Sequence, residues 1–186
     1  MKTIRKKVWD LFVRTFHWAL VVSIGANVLI ADGESRLHRW VGYFAIMLVL
    51  ARILWGVFGK GYARFATFRP SIGGSLEQLH DMLANRQTVH LGHTPLGALM
   101  IYNLLATILV IGFSGFLMTT DMFWGVEWPD ELHEAAVNWV EISVAMHVAA
   151  VILESWRTRV NLPAAMLNGY KTVPANNANL KCRADD

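Results

Sequence analysis

The chain has 186 residues, of which 54% are hydrophobic and 17% charged. That balance is too apolar for an ordinary soluble domain and fits a polytopic membrane protein. A net charge of +3 would suit a nucleic-acid binder, but the cations lie between apolar spans, where membrane topology accounts for them, so no nucleic-acid partner is expected.

In chain order, Lys2, Arg5, Lys6 and Lys7 precede the first apolar run, about residues 11–31. Basic residues followed by an apolar stretch mimic a signal peptide. The run is longer than a signal core, carries His17, Trp18 and Asn27, and ends on a poor cleavage site, so a retained helix is expected. A short polar connector, Asp32 to Arg36, leads to a second span at about 37–58, which predicts an antiparallel hairpin. A long connector follows, 59–93, with Lys60, Arg64, Arg69, Pro70 and Arg86. Within it Ser75 to Asn85 has the pattern of a short surface amphipathic helix. The third span is expected at about 94–118. An acidic connector, 119–132, precedes a fourth span at about 133–154. Residues 1–172 then form one four-helix membrane domain, and 173–186 a flexible cytoplasmic tail. Trp9, Trp55, Trp124, Trp128 and Trp156 fall near span ends, where amphipathic rings favour the interface.

Charge fixes the orientation. Of 17 Lys and Arg residues, five lie in 1–14, five in 52–93 and five in 155–186, with only Arg36 and Arg39 on the opposite side. Cytoplasmic segments carry the excess of Lys and Arg, so both termini are expected in the cytoplasm of a bacterial cell whose inner membrane holds the spans.

Four of the seven histidines stand within or at the mouth of apolar spans, where an ionisable or metal-binding side chain defaults to a functional reading. His17 lies in the inner half of the first span and His38 opens the second at the outer side. His133 opens the fourth, and His147 follows fourteen residues later. Fourteen residues at 100° each return to within about 40° of one face and rise about 21 Å. The predicted pairs are therefore His17 with His147 at the inner level and His38 with His133 at the outer. Facing imidazoles across a helical bundle suit a hexacoordinate haem iron. The one cysteine, Cys182, allows neither an internal disulfide nor a C-x-x-C-H attachment, so coordination and packing must hold any haem. Two haem b groups per chain are expected, with Gly25, Gly42, Gly112 and Gly115 leaving room for them. Arg14 and Arg52 at the inner level, and Arg36 and Arg39 at the outer, are candidate propionate contacts. His90 and His93 read as a solvated helix start.

Further motifs carry a resemblance. Trp9-Asp10, Arg14-Thr15-Phe16-His17-Trp18, Leu37-His38-Arg39-Trp40-Val41-Gly42-Tyr43, Arg52-Ile53-Leu54-Trp55-Gly56, Gly92-His93-Thr94-Pro95-Leu96-Gly97, Leu132-His133-Glu134 and Met146-His147-Val148 follow one another in an order and spacing that resemble the prokaryotic cytochrome b561 family. That family includes the b-type cytochrome subunits of nickel-iron hydrogenases. The likeness covers about residues 8–172. It implies an all-α integral membrane four-helix bundle with two haems between the helices, their iron ligands carried over to His17, His38, His133 and His147. It also implies electron exchange between a quinone pool and a redox partner, here expected to be a periplasmic protein such as a c-type cytochrome. A superoxide oxidase, passing electrons from superoxide to quinone, and a hydrogenase subunit are the alternative readings. The hydrogenase-linked relatives tend to be longer. The lipid bilayer is the expected environment.

Overall fold

A segment in hydrocarbon must satisfy its own N–H and C=O groups, and a helix does so internally. The computed structural model describes residues 3–84, 89–90, 92–174 and 180–181. Its helices, in chain order, are α1 (Leu11–Leu29), α2 (Arg36–Phe58), α3 (Ile72–Leu83), α4 (Pro95–Leu117), α5 (Trp128–Thr158) and α6 (Leu162–Asn168). Four of them, α1, α2, α4 and α5, are long and apolar enough to cross a membrane, with mean hydropathy of 1.3 to 2.1 over their best windows. Only 11% to 22% of each window is buried inside the protein, so most of their apolar surface is left for lipid. The architecture is an all-α membrane helical bundle, and the protein is a multi-pass membrane protein.

Polar caps start the spans. The carboxylate of Asp10 accepts from Val13 N at 2.7 Å, the Ser35 hydroxyl from His38 N at 3.1 Å, and the Thr94 hydroxyl from Gly97 N at 3.0 Å. The fourth span begins earlier than its apolar run, at Trp128 rather than 133, and ends at Thr158. Pro129, with its missing N–H and fixed φ, suits a first helical turn, and Asp130 and Glu131 suit the positive end of the helix dipole.

Contacts divide the chain into two units. One comprises residues 15–53 and 103–145. Within it, Asn103 on α4 donates from Nδ2 to the Ser143 hydroxyl at 2.9 Å and accepts from Trp139 Nε1 at 3.0 Å, which ties α4 to α5. Gly112 on α4 lets α2 approach: a Cβ there would run into the Ile46 side chain. The space at Gly112 is thus filled by protein, not left for a cofactor.

The other unit comprises residues 1–14, 54–102 and 146–186. Strand β1 (Thr3–Lys7) pairs antiparallel with a strand after α6, and a second, parallel pair joins Val89–His90 (β2) to Leu180–Lys181. The partner of β1 is β3 (Tyr170–Pro174), and that of β2 is β4. The expected tail is therefore paired backbone through Pro174, and residues 175–179 and 182–186 lie outside the described residues. Helix α6 ends at Gly169, whose φ of 86° is one that glycine adopts without strain. The Gly169 carbonyl accepts from both Val8 N and Trp9 N, at 2.9 and 3.2 Å. Trp9 is consequently buried with Val8, Val13, Ala63 and Ala165 and is no interface residue. Trp55, by contrast, donates Nε1 to Asp10 at 3.0 Å, joining the end of α2 to the cap of α1.

Beside Trp9, Lys171 is buried; its ammonium donates to the Gly92 carbonyl at 3.0 Å and stands 5.5 Å from the Trp9 ring centre. Burial pushes its pKa down from 10.5 to about 8, against the opposing pull of Glu154. Between those values the unfolded chain binds the extra proton, so stability should rise with pH from about 8 towards 10.5 and be lowest, and flat, below 8. Thermal unfolding in detergent should show this rise in the wild type and lose it in Lys171→Met; superimposable pH profiles would refute it. In the other unit, Gly112→Val should destabilise by about 1–3 kcal/mol through overpacking, and Ile46→Ala should recover part of that loss.

Candidate functional site

Helix periodicity brings the predicted residues onto single stripes. On α5, Pro129, His133, Ala136, Val140, Ser143 and His147 recur every three or four residues, all buried or half-buried. On α2 the stripe runs His38, Gly42, Ala45, Val49 and Arg52. Each helix thus carries two chemistry-bearing side chains fourteen residues apart on one face, a histidine pair on α5 and His38 with Arg52 on α2. His17 is half-buried on α1, one turn beyond the buried Val13.

Three of the four candidate ligands, His17, His38 and His133, fall in the same unit, and the ring centroids of His38 and His133 stand 6.2 Å apart. Two metal–nitrogen bonds of about 2 Å, plus roughly 1 Å from each nitrogen to its ring centre, would set two trans imidazoles roughly 6 Å apart. The two rings stand at about that separation, tilted 64° to one another.

The orientation of His133 follows from its neighbours on α4. Its Nδ1 lies 3.0 Å from the Ile111 carbonyl and 3.1 Å from the Ser114 hydroxyl. A carbonyl oxygen only accepts, so Nδ1 carries the proton. Ser114 gives its own O–H to the Val110 carbonyl at 2.8 Å, which turns its oxygen towards Nδ1 as an acceptor. The second ring nitrogen, Nε2, is left with the lone pair, as an iron ligand needs. Gly115 makes the close approach possible, since a Cβ there would lie 3.1 Å from His133 Cε1.

A haem fits these surroundings. Two protein ligands are few for a bare metal ion, and among the described residues no three His, Cys, Asp or Glu side chains gather as a metal site. A porphyrin supplies four equatorial nitrogens and asks the protein only for axial ones. A Cβ at Gly25 would meet nothing within 4 Å, and one at Gly42 only Asn27 at 3.8 Å, so neither glycine is closed over by a neighbouring side chain.

Other expected residues are placed as follows. His17 and His147 belong to different units. Arg52 is buried, whereas Arg36 and Arg39 are exposed, Arg39 donating to the Glu34 carbonyl at 3.3 Å. Arg14 donates to the Leu167 carbonyl near the end of α6, while its Nε finds no acceptor among the described residues. His93 is not a solvated helix start. Its ring packs against Trp9 at 4.6 Å and Phe68 at 4.1 Å between centroids. Nothing in the H-x-x-H spacing announces this, because the cage depends on the β1–β3 ribbon that brings in Trp9; the His90 side chain lies outside the described residues. Ser114 and Ile111 are equally hard to find from sequence. A hydroxyl in an apolar span is a weak signal, and a backbone carbonyl gives none.

Comparison with known proteins bears on the whole arrangement. Neither curated proteins nor solved structures give a match. A family model described as prokaryotic cytochrome b561 matches residues 8–169, most of the chain and all four spans. The chain therefore belongs to the prokaryotic cytochrome b561 family and is a haem-b-binding membrane cytochrome of electron transfer.

Proposed function

We propose that the protein binds two haem b groups, one held by His38 and His133 and the other by His17 and His147, and carries electrons between the quinone pool and a redox partner on the periplasmic face. The 6.2 Å spacing of the His38 and His133 rings supports this reading most directly. For the other pair the support is helical: His147 follows His133 by nearly four turns on one stripe of α5, and the sequence sets His17 in the inner half of the first span. When bound, the haems supply reversible one-electron carriage.

The chain's own residues set the conditions for that chemistry. The Ile111 carbonyl and Ser114 hydroxyl fix the His133 tautomer and make its Nε2 a better donor. Arg52, buried on the His38 stripe of α2, is suited to neutralise a propionate at the inner level. Arg14 is suited to the same task through Nε, and Arg36 and Arg39 to the outer level. The quinone is the membrane-side partner that membership of the family implies. The charge distribution supports an inner-membrane protein with both termini in the cytoplasm.

Charge also selects the outer partner. Asp32, Glu34, Asp121, Glu127, Asp130, Glu131 and Glu134 stand in or beside the two connectors of one unit, against Arg36 and Arg39. Such a surface attracts a basic protein, for instance a basic c-type cytochrome, and speeds its docking at low salt. It repels a small anion, which disfavours superoxide as the natural substrate.

The test is quinol-driven reduction of a basic soluble c-type cytochrome by the haem-loaded protein in vesicles. The rate should fall several-fold between low and physiological ionic strength. Glu131→Lys with Glu134→Lys should slow it at low salt only, the two proteins converging as salt screens the surface. A rate indifferent to both salt and these substitutions would remove the acidic docking surface, and failure of quinol to reduce the haems would remove the quinone.

A further inference from the structure

Helix α3 is inverted relative to a helix on a water-soluble surface. Ile72, Leu76, Leu79 and Leu83 recur at intervals of four, three and four, which confines them to an arc of about 60°. All four are exposed, Ile72 at 72% and Leu83 at 81%. The side that α3 buries against the protein is the polar one: Ser75 is 4% exposed and Gln78 7%. An isolated apolar side chain on a surface asks for no explanation, but an unbroken leucine stripe with the polar face turned inward does.

The packing fixes where this stripe lies. The Ser71 hydroxyl caps α3 by accepting from Gly74 N at 3.1 Å. Gln78 Oε1 then accepts from Leu96 N at 3.0 Å, in the first turn of α4. A Cβ at Gly74 would lie 3.5 Å from Pro95 Cβ, so the two helix starts are in close proximity. Because α4 is a membrane span, its first turn marks the boundary between hydrocarbon and water, and α3 is tied to that boundary by its polar face. The same unit exposes Arg5, Lys6, Lys7, Lys60, Arg64 and Arg69. Glu77 and Asp81, the acids of α3, point well away from the leucine arc by helical angle.

We propose that α3 is an interfacial helix whose stripe of Ile72, Leu76, Leu79 and Leu83 is immersed in the lipid leaflet at the N-terminal end of α4, with the exposed cations of its unit on anionic headgroups. A stripe of this kind, low in charge and flanked by cations, has the composition that seats helices at the boundary of headgroup and acyl chain. Its seating holds the long connector against the bilayer and, through Gln78, steadies the start of α4. This reading is independent of the haem ligands.

The test uses the full-length, haem-loaded protein carrying Cys182→Ser and one new cysteine at a time, reconstituted in vesicles of phosphatidylcholine with phosphatidylglycerol. Leu76→Cys and Leu79→Cys probe the stripe, Glu77→Cys and Asp81→Cys the side that points away from it. A water-soluble maleimide should label the stripe positions several-fold more slowly than the other two. Spin labels at the stripe should collide with dissolved oxygen more than with a polar nickel complex. Equal labelling at all four positions would overturn the proposal. So would dipolar broadening between stripe labels, which would mean a second copy of the chain covers the face. Immersion unchanged in pure phosphatidylcholine would overturn the role of anionic headgroups.

Discussion

The His133 ring, half-buried near the start of α5, spends its Nδ1–H on the Ile111 carbonyl, with Ser114 as a second acceptor. That one interaction determines which nitrogen carries the lone pair and which way it faces. The rest of the outer arrangement is built to permit it. Gly115 lets the ring approach α4, Ser114 directs its own proton elsewhere, and the Ser35 cap sets the first turn of α2 where His38 stands. A change at any of these acts on the ring without touching it.

The chain spends its polar residues in distinct ways along its length. Within the spans, hydroxyls return to the carbonyl one turn back, as Ser23 does to Ala19 and Thr107 to Asn103, so they cost little in lipid. At the basic end, polar groups join distant parts of the sequence. Gly169 gathers the N–H groups of Val8 and Trp9, Asp10 holds Trp55, and Lys171 reaches Gly92. These contacts tie the segment after α5 to the start of the chain and to the residues before α4.

What the sequence made legible follows from periodicity and charge. Long apolar runs have one solution in a bilayer, and the spans were readable within a few residues at most ends. The start of α5 was not, because Trp128, Pro129, Asp130 and Glu131 carry no apolar period; the signals there are proline and acid at a helix N-terminus, which an acidic loop imitates. The juxtaposition of His38 and His133 was readable from depth alone, since both stand at the same end of their helices. The β1–β3 ribbon, the burial of Trp9 and the caging of His93 were beyond reach, for they depend on contacts between residues more than 150 positions apart, as in the pairing of Lys7 with Tyr170. Gly112 was read as room for a cofactor and proves to be room for Ile46. A glycine in a span marks a close approach, and only packing tells what approaches.

The most direct test of the central claim counts haem per chain in purified protein, wild type beside His17→Ala and His133→Ala. Two imidazole pairs at two levels predict about two haems in the wild type and about one in each variant, each variant losing a different one. One haem in the wild type, or two retained in either variant, would contradict the account.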